Sequence, residues 1–323
     1  MALITLVEAV TQAIAYEMSQ DNKVIIFGED IAVNGGVFRS TVGLLEKFGS
    51  ERVLDTPLAE SMIAGMAIGM ASQGLKPIAE FQFSGFIYSA VDQILSHAAR
   101  LRNRTRGRLS CPLVYRAPYG GGIHAPEHHS ESMEALFAHI PGIRVVIPSS
   151  PAKAYGLLLA SIRNPDPVLF LEPKRIYRLI KQEVPDNGEA LPLDKCFIVK
   201  EGTDVTLVSW GAMLKETIEA AEQLENEGIS AEIIDLATIS PIDIQTILSS
   251  VEKTGRCVIV SEAPRTCGVA AEIAAQLAEY ALDVLLAPIQ RVTGYDTIMP
   301  YAQLEKYYMP SAARVVTAVK NIL

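Results

Sequence analysis

Three of the five histidines fall within one short stretch, "GGGIHAPEHHSESMEAL" (residues 120–136), which carries His124, His128 and His129 behind three glycines. His124 and His128 are spaced i, i+4, as two metal ligands on one helix face would be. Pro126 between them and the glycines before them argue against a helix there, and no H-E-x-x-H pattern occurs. Zinc is therefore disfavoured, and the segment reads as a loop whose backbone passes close to a ligand. A second candidate is Glu60, at the head of "ESMIAGMAIGMASQG" and flanked by Leu58, Met62 and Ile63. A carboxyl in apolar surroundings can give or share a proton near neutral pH. An ordinary acidic residue favoured by the helix dipole is the simpler reading of that one position. Gly65 and Gly69 share one helix face. Each costs roughly 1 kcal/mol of helix propensity relative to Ala, so a close helix approach is expected, inside the domain or between subunits. The stripe Met62, Met66 and Met70 reads as core packing.

The elements that must position these groups alternate in type. "KVIIFGED" (23–30), "RVLDTPLAE" (52–60), "KPIAEFQF" (76–83), "CPLVYRAP" (111–118), "GIRVVIPSS" (142–150) and "PVLFLEP" (167–173) read as strands. Helices are expected near the N-terminus, with Thr5 as N-cap, and over 60–74, 86–101 and 151–163. Alternation of this kind means a parallel sheet covered on both faces. After a polar stretch, "KQEVPDNGEALPLDK" (181–195), the alternation resumes in a smaller second half. The expectation is two parallel-sheet α/β domains, 1–185 and 204–323, joined by a linker over 186–203. Ligands in such sheets sit at the carboxyl ends of strands, where Glu29, Asp30, Glu60, His129 and Glu262 fall.

The chain of 323 residues is long enough for two cores, and 49% apolar content argues against disorder. A net charge of −9 disfavours nucleic acid or an anionic membrane as partner. The basic run Ala99–Arg108 reads as a solvated helix end and turn. There is no basic leader before an apolar run, and no apolar run spans a bilayer. The four cysteines are scattered without a C-x-x-C pair, which fits a reducing compartment, the cytoplasm.

Glu60, four residues, Gly65, an apolar residue, two residues and Gly69 resembles the signature of thiamine diphosphate enzymes. "GEDIAVNGGVFRSTVGL", "DTPLAES", "EFQFSGFIYSAVDQI", "GGGIHAPEHHS", "PGIRVVIPSSP", "EPKRIYR" and "RVTGYDTIMPYAQLEKYYMP" narrow the likeness. Together they resemble the β subunit of the thiamine-dependent decarboxylase component of 2-oxo acid dehydrogenase complexes, in order and over the whole chain. The resemblance implies a pyrimidine-binding domain followed by a transketolase C-terminal-type domain. It implies that Glu60 hydrogen-bonds the aminopyrimidine of the cofactor, that Gln82 lies beside that ring and that Phe86 stacks on it. It assigns His129 to proton transfer and to the acyl-transfer step to a lipoyl group. His124 matches a histidine in part of the family. A structural potassium ion is implied at Leu113, Ser161, Ile162, Asn164 and Asp166. The substrate is pyruvate or a branched-chain 2-oxo acid: "GGGIHAPE" and "FQFSGF" lean to the former, "GVFRSTVGL", "EPKRIYR" and "RVTGYDT" to the latter. A transketolase-like or deoxyxylulose-phosphate-synthase-like enzyme, or a silent docking subunit, are the alternatives. The first two normally carry a diphosphate-binding domain for which this chain is too short, and retention of Glu60 and His129 argues against the third.

One pattern of the family is missing. Its members bind the diphosphate through Mg²⁺ with Gly-Asp-Gly and a later Asn, and no Gly-Asp-Gly occurs in the chain; the nearest string is "FGED" (27–30). The expectation is that an α subunit supplies that half of the site in an α₂β₂ heterotetramer. The further partner is the dihydrolipoyl acyltransferase core with its lipoyl domain.

Overall fold

A computed structural model describes residues 3–323. Two compact units emerge. One is Met1–Tyr119 with Leu136–Leu193, the other Gly120–Ala135 with Asp194–Leu323. The histidine-bearing segment thus clusters with the second unit, although its flanking sequence on both sides belongs to the first.

In the first unit, β1 (Leu3–Thr5) runs into α1 (Leu6–Gln20). Thr5 caps the helix reciprocally. Its hydroxyl accepts from the Glu8 N–H, and its own N–H donates to the Glu8 carboxylate at 2.7 Å, so two donors of the open helix end are satisfied. Leu6, Ala9, Val10, Ala13 and Ile14, which recur at helical spacing, are fully buried. Then follow β2 (Val24–Gly28), α2 (Leu44–Phe48), β3 (Val53–Asp55), α3 (Glu60–Ser72) and β4 (Lys76–Glu80). A 3₁₀ turn (Ser84–Ala90) and a π turn (Gln93–Ala98) precede α4 (Leu101–Arg104) and β5 (Val114–Tyr119). After α5 (Glu134–Ala138), whose first two residues belong to the second unit, come β6 (Arg144–Val146), α6 (Pro151–Arg163), β7 (Val168–Pro173) and β8 (Lys181–Glu183). Six strands of this unit lie in the order β6-β7-β5-β4-β2-β3, every pair parallel. Ser150 caps α6 and Pro151 occupies its first position, where a missing N–H costs nothing.

The second unit contains β9 (Phe197–Lys200), β10 (Val205–Ser209), α7 (Met213–Glu225), β11 (Ala231–Asp235), β12 (Thr238–Ser240) and α8 (Ile244–Thr254). β13 (Cys257–Ser261), α9 (Val269–Tyr280), β14 (Gln290–Thr293), α10 (Ala302–Tyr308) and α11 (Ala312–Lys320) complete it. Its sheet runs β14-β13-β10-β11-β9, with only β9 antiparallel.

Three local expectations change. The single helix over 86–101 is instead broken. Ile87, Ala90, Ile94 and Ala98 keep a buried face, but the Ala99 N–H reaches back five residues to Ile94. Apolar periodicity shows the face and not the hydrogen-bond step. Part of the polar stretch is strand, since Lys181–Glu183 pairs with β1, and Phe197–Lys200, within the expected linker, is the antiparallel edge of the second sheet. The methionine stripe is not core. Met62 is 41% exposed and Met66 and Met70 are half-buried, because α3 turns Ile63, Ala64, Ala67 and Ala71 inward instead. Among the described residues no helix is long and apolar enough to cross a membrane.

Candidate active site

Parallel pairing of β2 with β3 and β4 sends the three chain segments that leave these strands to one end of the sheet. Glu29 and Asp30 follow β2, Asp55 closes β3 and leads towards α3, and Gln82 follows β4. Gln82 Nε2 donates to Asp30 Oδ2 at 3.2 Å, and Asn34 Nδ2 donates to the other oxygen at 3.1 Å. Asp30 holds a left-handed backbone (φ 59°), a conformation that Asp tolerates better than most residues. Asp55 receives the N–H groups of Ala32 and Val33 at 2.7 and 3.2 Å, which ties down the loop after β2.

Glu60 is the first residue of α3 and is half-buried. The Tyr115 hydroxyl donates to the Ala64 carbonyl at 2.9 Å and pins that helix to β5. Ser89 Oγ lies 3.3 Å from Glu60 Oε2 and 3.1 Å from the Phe86 carbonyl. A hydroxyl has one proton, so Ser89 serves one of these acceptors at a time. Glu29 stands in the same field. Burial pushes its carboxyl up, and the charges of Asp30 and Glu60 add to that. Phe86 lies in the 3₁₀ turn, half-buried, with its ring 5.6 Å from Phe83 in an edge-on contact; Phe83 in turn meets Phe38 at 5.4 Å. The first unit thus brings Glu60, Gln82 and Phe86 together with Glu29, Asp30 and Ser89. An accessible carboxylate, an amide and an aromatic face are the donor, acceptor and stacking groups an aminopyrimidine ring takes.

Beneath these groups, three buried strands each contribute one charge. Arg116 of β5 gives Nε and Nη2 to the two oxygens of Glu172 at 2.7 and 2.8 Å, and Nη1 to Glu80. Ser40 and Tyr177 complete the cluster, at 3.1 Å from Arg116 and 2.6 Å from Glu172. Burial pushes Glu80 up, with Glu172 adding to it and Arg116 opposing. The cluster holds the end of β4 from which Gln82 and Phe86 emerge. Its sequence signal was a lone charge in each of "PIAEF", "LVYRAP" and "LFLEP".

The histidine loop belongs to the second unit. Gly120 is at φ 84°, a backbone conformation strained for any other side chain, and a Cβ there would sit 2.1 Å from the Glu262 carboxylate. The Trp210 indole donates to Glu134 at 3.2 Å. His124, also left-handed (φ 61°), gives its N–H to Glu305 at 3.0 Å, with its ring 3.7 Å from the same carboxylate. His128 Nδ1 is 3.5 Å from Glu131. His129 is half-buried in a 3₁₀ turn, its Nδ1 3.2 Å from the Pro126 carbonyl. Among the described residues no cluster of His, Cys, Asp and Glu could hold a metal ion.

Leu113, Ser161, Ile162, Asn164 and Asp166 gather in the first unit around the end of α6. The Ser161 carbonyl accepts the Asn164 N–H at 3.2 Å, Asn164 Oδ1 the Asp166 N–H at 2.8 Å, and the Leu113 carbonyl the Val168 N–H at 3.1 Å. The carboxylate of Asp166 pairs with Arg102.

Sequence comparison assigns the two halves to a class. The pattern described as "Transketolase, pyrimidine binding domain" matches residues 3–180, and "Transketolase, C-terminal domain" matches 194–315. The fold is that of a split-gene transketolase solved as an inactive β4 tetramer, with a TM-score of 0.82 and 24% identity over 99% of this chain and 98% of that one. This is the two-domain architecture of the transketolase-like enzymes. At higher identity the chain is similar to "Pyruvate dehydrogenase E1 component subunit beta" of Acholeplasma laidlawii, 52% over 100% of this chain and 98% of the relative. The protein of the same name from Bacillus subtilis (strain 168) is 46% identical over 100% and 99%. The chain belongs to the family of β subunits of the thiamine-diphosphate-dependent decarboxylase component of 2-oxo acid dehydrogenase complexes. It is an enzyme component that works with an α subunit.

Proposed function

We propose that this β subunit acts on pyruvate, in an α₂β₂ heterotetramer that decarboxylates it and passes the acetyl group to the lipoyl domain of a dihydrolipoyl acyltransferase. The observation that carries the reading is the meeting of Glu60, Gln82 and Phe86 at one end of the first sheet. Its substrate part rests on the relatives, named for pyruvate at 52% and 46% identity.

Thiamine diphosphate, when bound, supplies the carbon nucleophile and the electron sink of decarboxylation. The chain's own residues hold its pyrimidine end. Phe86 offers the stacking face and Gln82 an amide to the ring edge. Glu60 holds a proton and shares it with a ring nitrogen, and Ser89 can release its hydrogen bond to the Phe86 carbonyl and steady the Glu60 carboxylate. His129 gives or takes a proton during acyl transfer, its Nδ1 side turned to the Pro126 carbonyl.

The Mg²⁺ and diphosphate half belongs to the α subunit, since the chain has no Gly-Asp-Gly. Potassium is assigned to Leu113, Ser161, Ile162, Asn164 and Asp166. Carbonyls at a helix C-terminus face outward with partial negative charge, and a carbonyl already accepting one N–H keeps a second lone pair. Asp166 contributes its carbonyl, because Arg102 takes the carboxylate. The cytoplasm is the proposed compartment, on the scattered cysteines.

The test is reductive acylation of a lipoyl domain by the assembled α and β chains, with pyruvate and with branched 2-oxo acids. Acetylation faster than branched acylation is expected; the reverse order overturns the pyruvate assignment.

A further inference from the structure

Away from Glu60, Gln82 and Phe86 the first unit carries another concave feature. A cleft of about 740 Å³ opens beside the first turns of α1 and the loop that leads into α2. Four cations line it, Arg39, Lys47, Arg178 and Lys181, against a single carboxylate, Glu8. In a chain of net charge −9 that local excess stands out. Glu8 does little to offset it. Its carboxylate accepts the N–H and the hydroxyl of Thr5 at 2.7 and 2.6 Å. Those bonds hold it below the usual carboxylate range, and Lys181 and Arg178 hold it lower still. Glu8 is thus engaged in capping α1.

The cations keep donors to spare. Arg178 spends one N–H on the Phe38 carbonyl at 2.7 Å, and Arg39 spends one on the Asn34 carbonyl; a guanidinium has five. Lys47 lies over the Phe48 ring at 5.1 Å, and Lys47 and Lys181 are both exposed. The rest of the wall includes Val7, Val42 and Leu44, an apolar surface without charge. Small-molecule sites run to roughly 300–1,000 Å³ with an apolar lining and a few polar anchors. Guanidinium forks beside lysines suit phosphate oxygens.

We propose that this cleft binds a phosphorylated small molecule of nucleotide size, its phosphates on Arg39, Lys47, Arg178 and Lys181 and its remaining body against Val7, Val42 and Leu44. It shares no residue with the aminopyrimidine site, so the two are occupied independently.

The test uses the assembled enzyme saturated with thiamine diphosphate, so that the cofactor site is filled, and titrates ADP, inorganic pyrophosphate and inorganic phosphate by calorimetry. ADP is expected to bind more tightly than pyrophosphate, pyrophosphate more tightly than phosphate, and all more weakly as salt rises. The double variant Lys47→Gln/Lys181→Gln should weaken ADP about tenfold or more, the scale of lost charge-assisted bonds, with decarboxylation unchanged. Lys47→Arg/Lys181→Arg should keep the affinity. No ADP binding at millimolar concentration, or equal affinity in the Gln variant, overturns the site. Pyrophosphate binding as tightly as ADP overturns the nucleotide-sized ligand. ADP binding by the isolated β chain but not by the assembled enzyme overturns it as well, since a protein partner then covers the cleft.

Discussion

An acid and an amide of equal size differ at position 60 in one respect. Only the acid can hold a proton and share it with a ring nitrogen. Glu60→Gln keeps an acceptor for Ser89 and removes one favourable charge from the start of α3, worth about 0.3–1 kcal/mol. Folding should survive. Proton exchange at the thiazolium carbon of the cofactor in the assembled enzyme should fall about 10²–10⁴-fold, the scale of a lost acid–base group. Wild-type exchange would remove Glu60 from the chemistry. His129→Ala should act later, slowing acetyl transfer to the lipoyl domain while cofactor affinity stays. A wild-type transfer rate would make His129 a loop residue only. Glu60 stands out in the sequence because its spacing to Gly65 and Gly69 is local. The contacts of Ser89 and Asp30 do not. Asp30 meets Gln82 across 52 residues, and Ser89 meets Glu60 across 29, contacts that exist only once the strands pair and the 3₁₀ turn packs on α3.

At the level of elements, the cap of α1 offers a test with a defined pH dependence. Thr5 and Glu8 satisfy each other's N–H groups. Thr5→Ala should cost about 1 kcal/mol near neutral pH. Glu8 is lowered from its ordinary value of 4.5 first by the Thr5 hydroxyl, then by the Thr5 N–H. A depressed carboxyl contributes its stability above its unfolded pKa and loses it as pH falls through the folded one. The gap between wild type and Thr5→Ala should therefore narrow in urea melts as pH drops below about 4.5, and a gap constant from about pH 7 to about pH 3 would show that the carboxylate adds nothing. Thr5 was legible as the N-cap before an apolar run; the reciprocal bond to Glu8 came only with the structure. The break in the helix over 86–101 was not legible, because a π turn leaves the buried positions nearly where an α-helix has them. The strand Phe197–Lys200 was hidden by its edge position, where Ile198 and Val199 are exposed and polar residues crowd both sides. The buried Arg116 cluster needed the order β4-β5-β7 before three isolated charges became neighbours.

At the scale of the whole molecule, what matters is how much of the cofactor one chain can hold alone. On the proposed reading, its first unit offers a carboxylate, an amide and a ring to the pyrimidine end of the cofactor, and the sequence has no Gly-Asp-Gly to carry Mg²⁺ and the diphosphate. A diphosphate held through a metal is a large share of such a ligand's binding energy, since hard-cation bonds to charged oxygens are strong. The exposed side of α3 shows where a partner can sit. A Cβ on Gly69 would meet nothing within 4 Å, and Met62 beside it is exposed, so the helix-propensity cost of that glycine has no return inside this chain. Gly69→Leu should thus leave the isolated β chain as stable as before, or more so by up to roughly 1 kcal/mol, while it weakens assembly with α. The companion measurement is calorimetry with thiamine diphosphate and Mg²⁺. The isolated β chain should bind the cofactor weakly and decarboxylate no pyruvate, and addition of α should restore both. With Gly69→Leu, more α should be needed for the same recovery. Tight, Mg²⁺-dependent binding by the β chain alone would show that it holds both halves of the site. Unchanged assembly of Gly69→Leu would free that face of α3 from the interface.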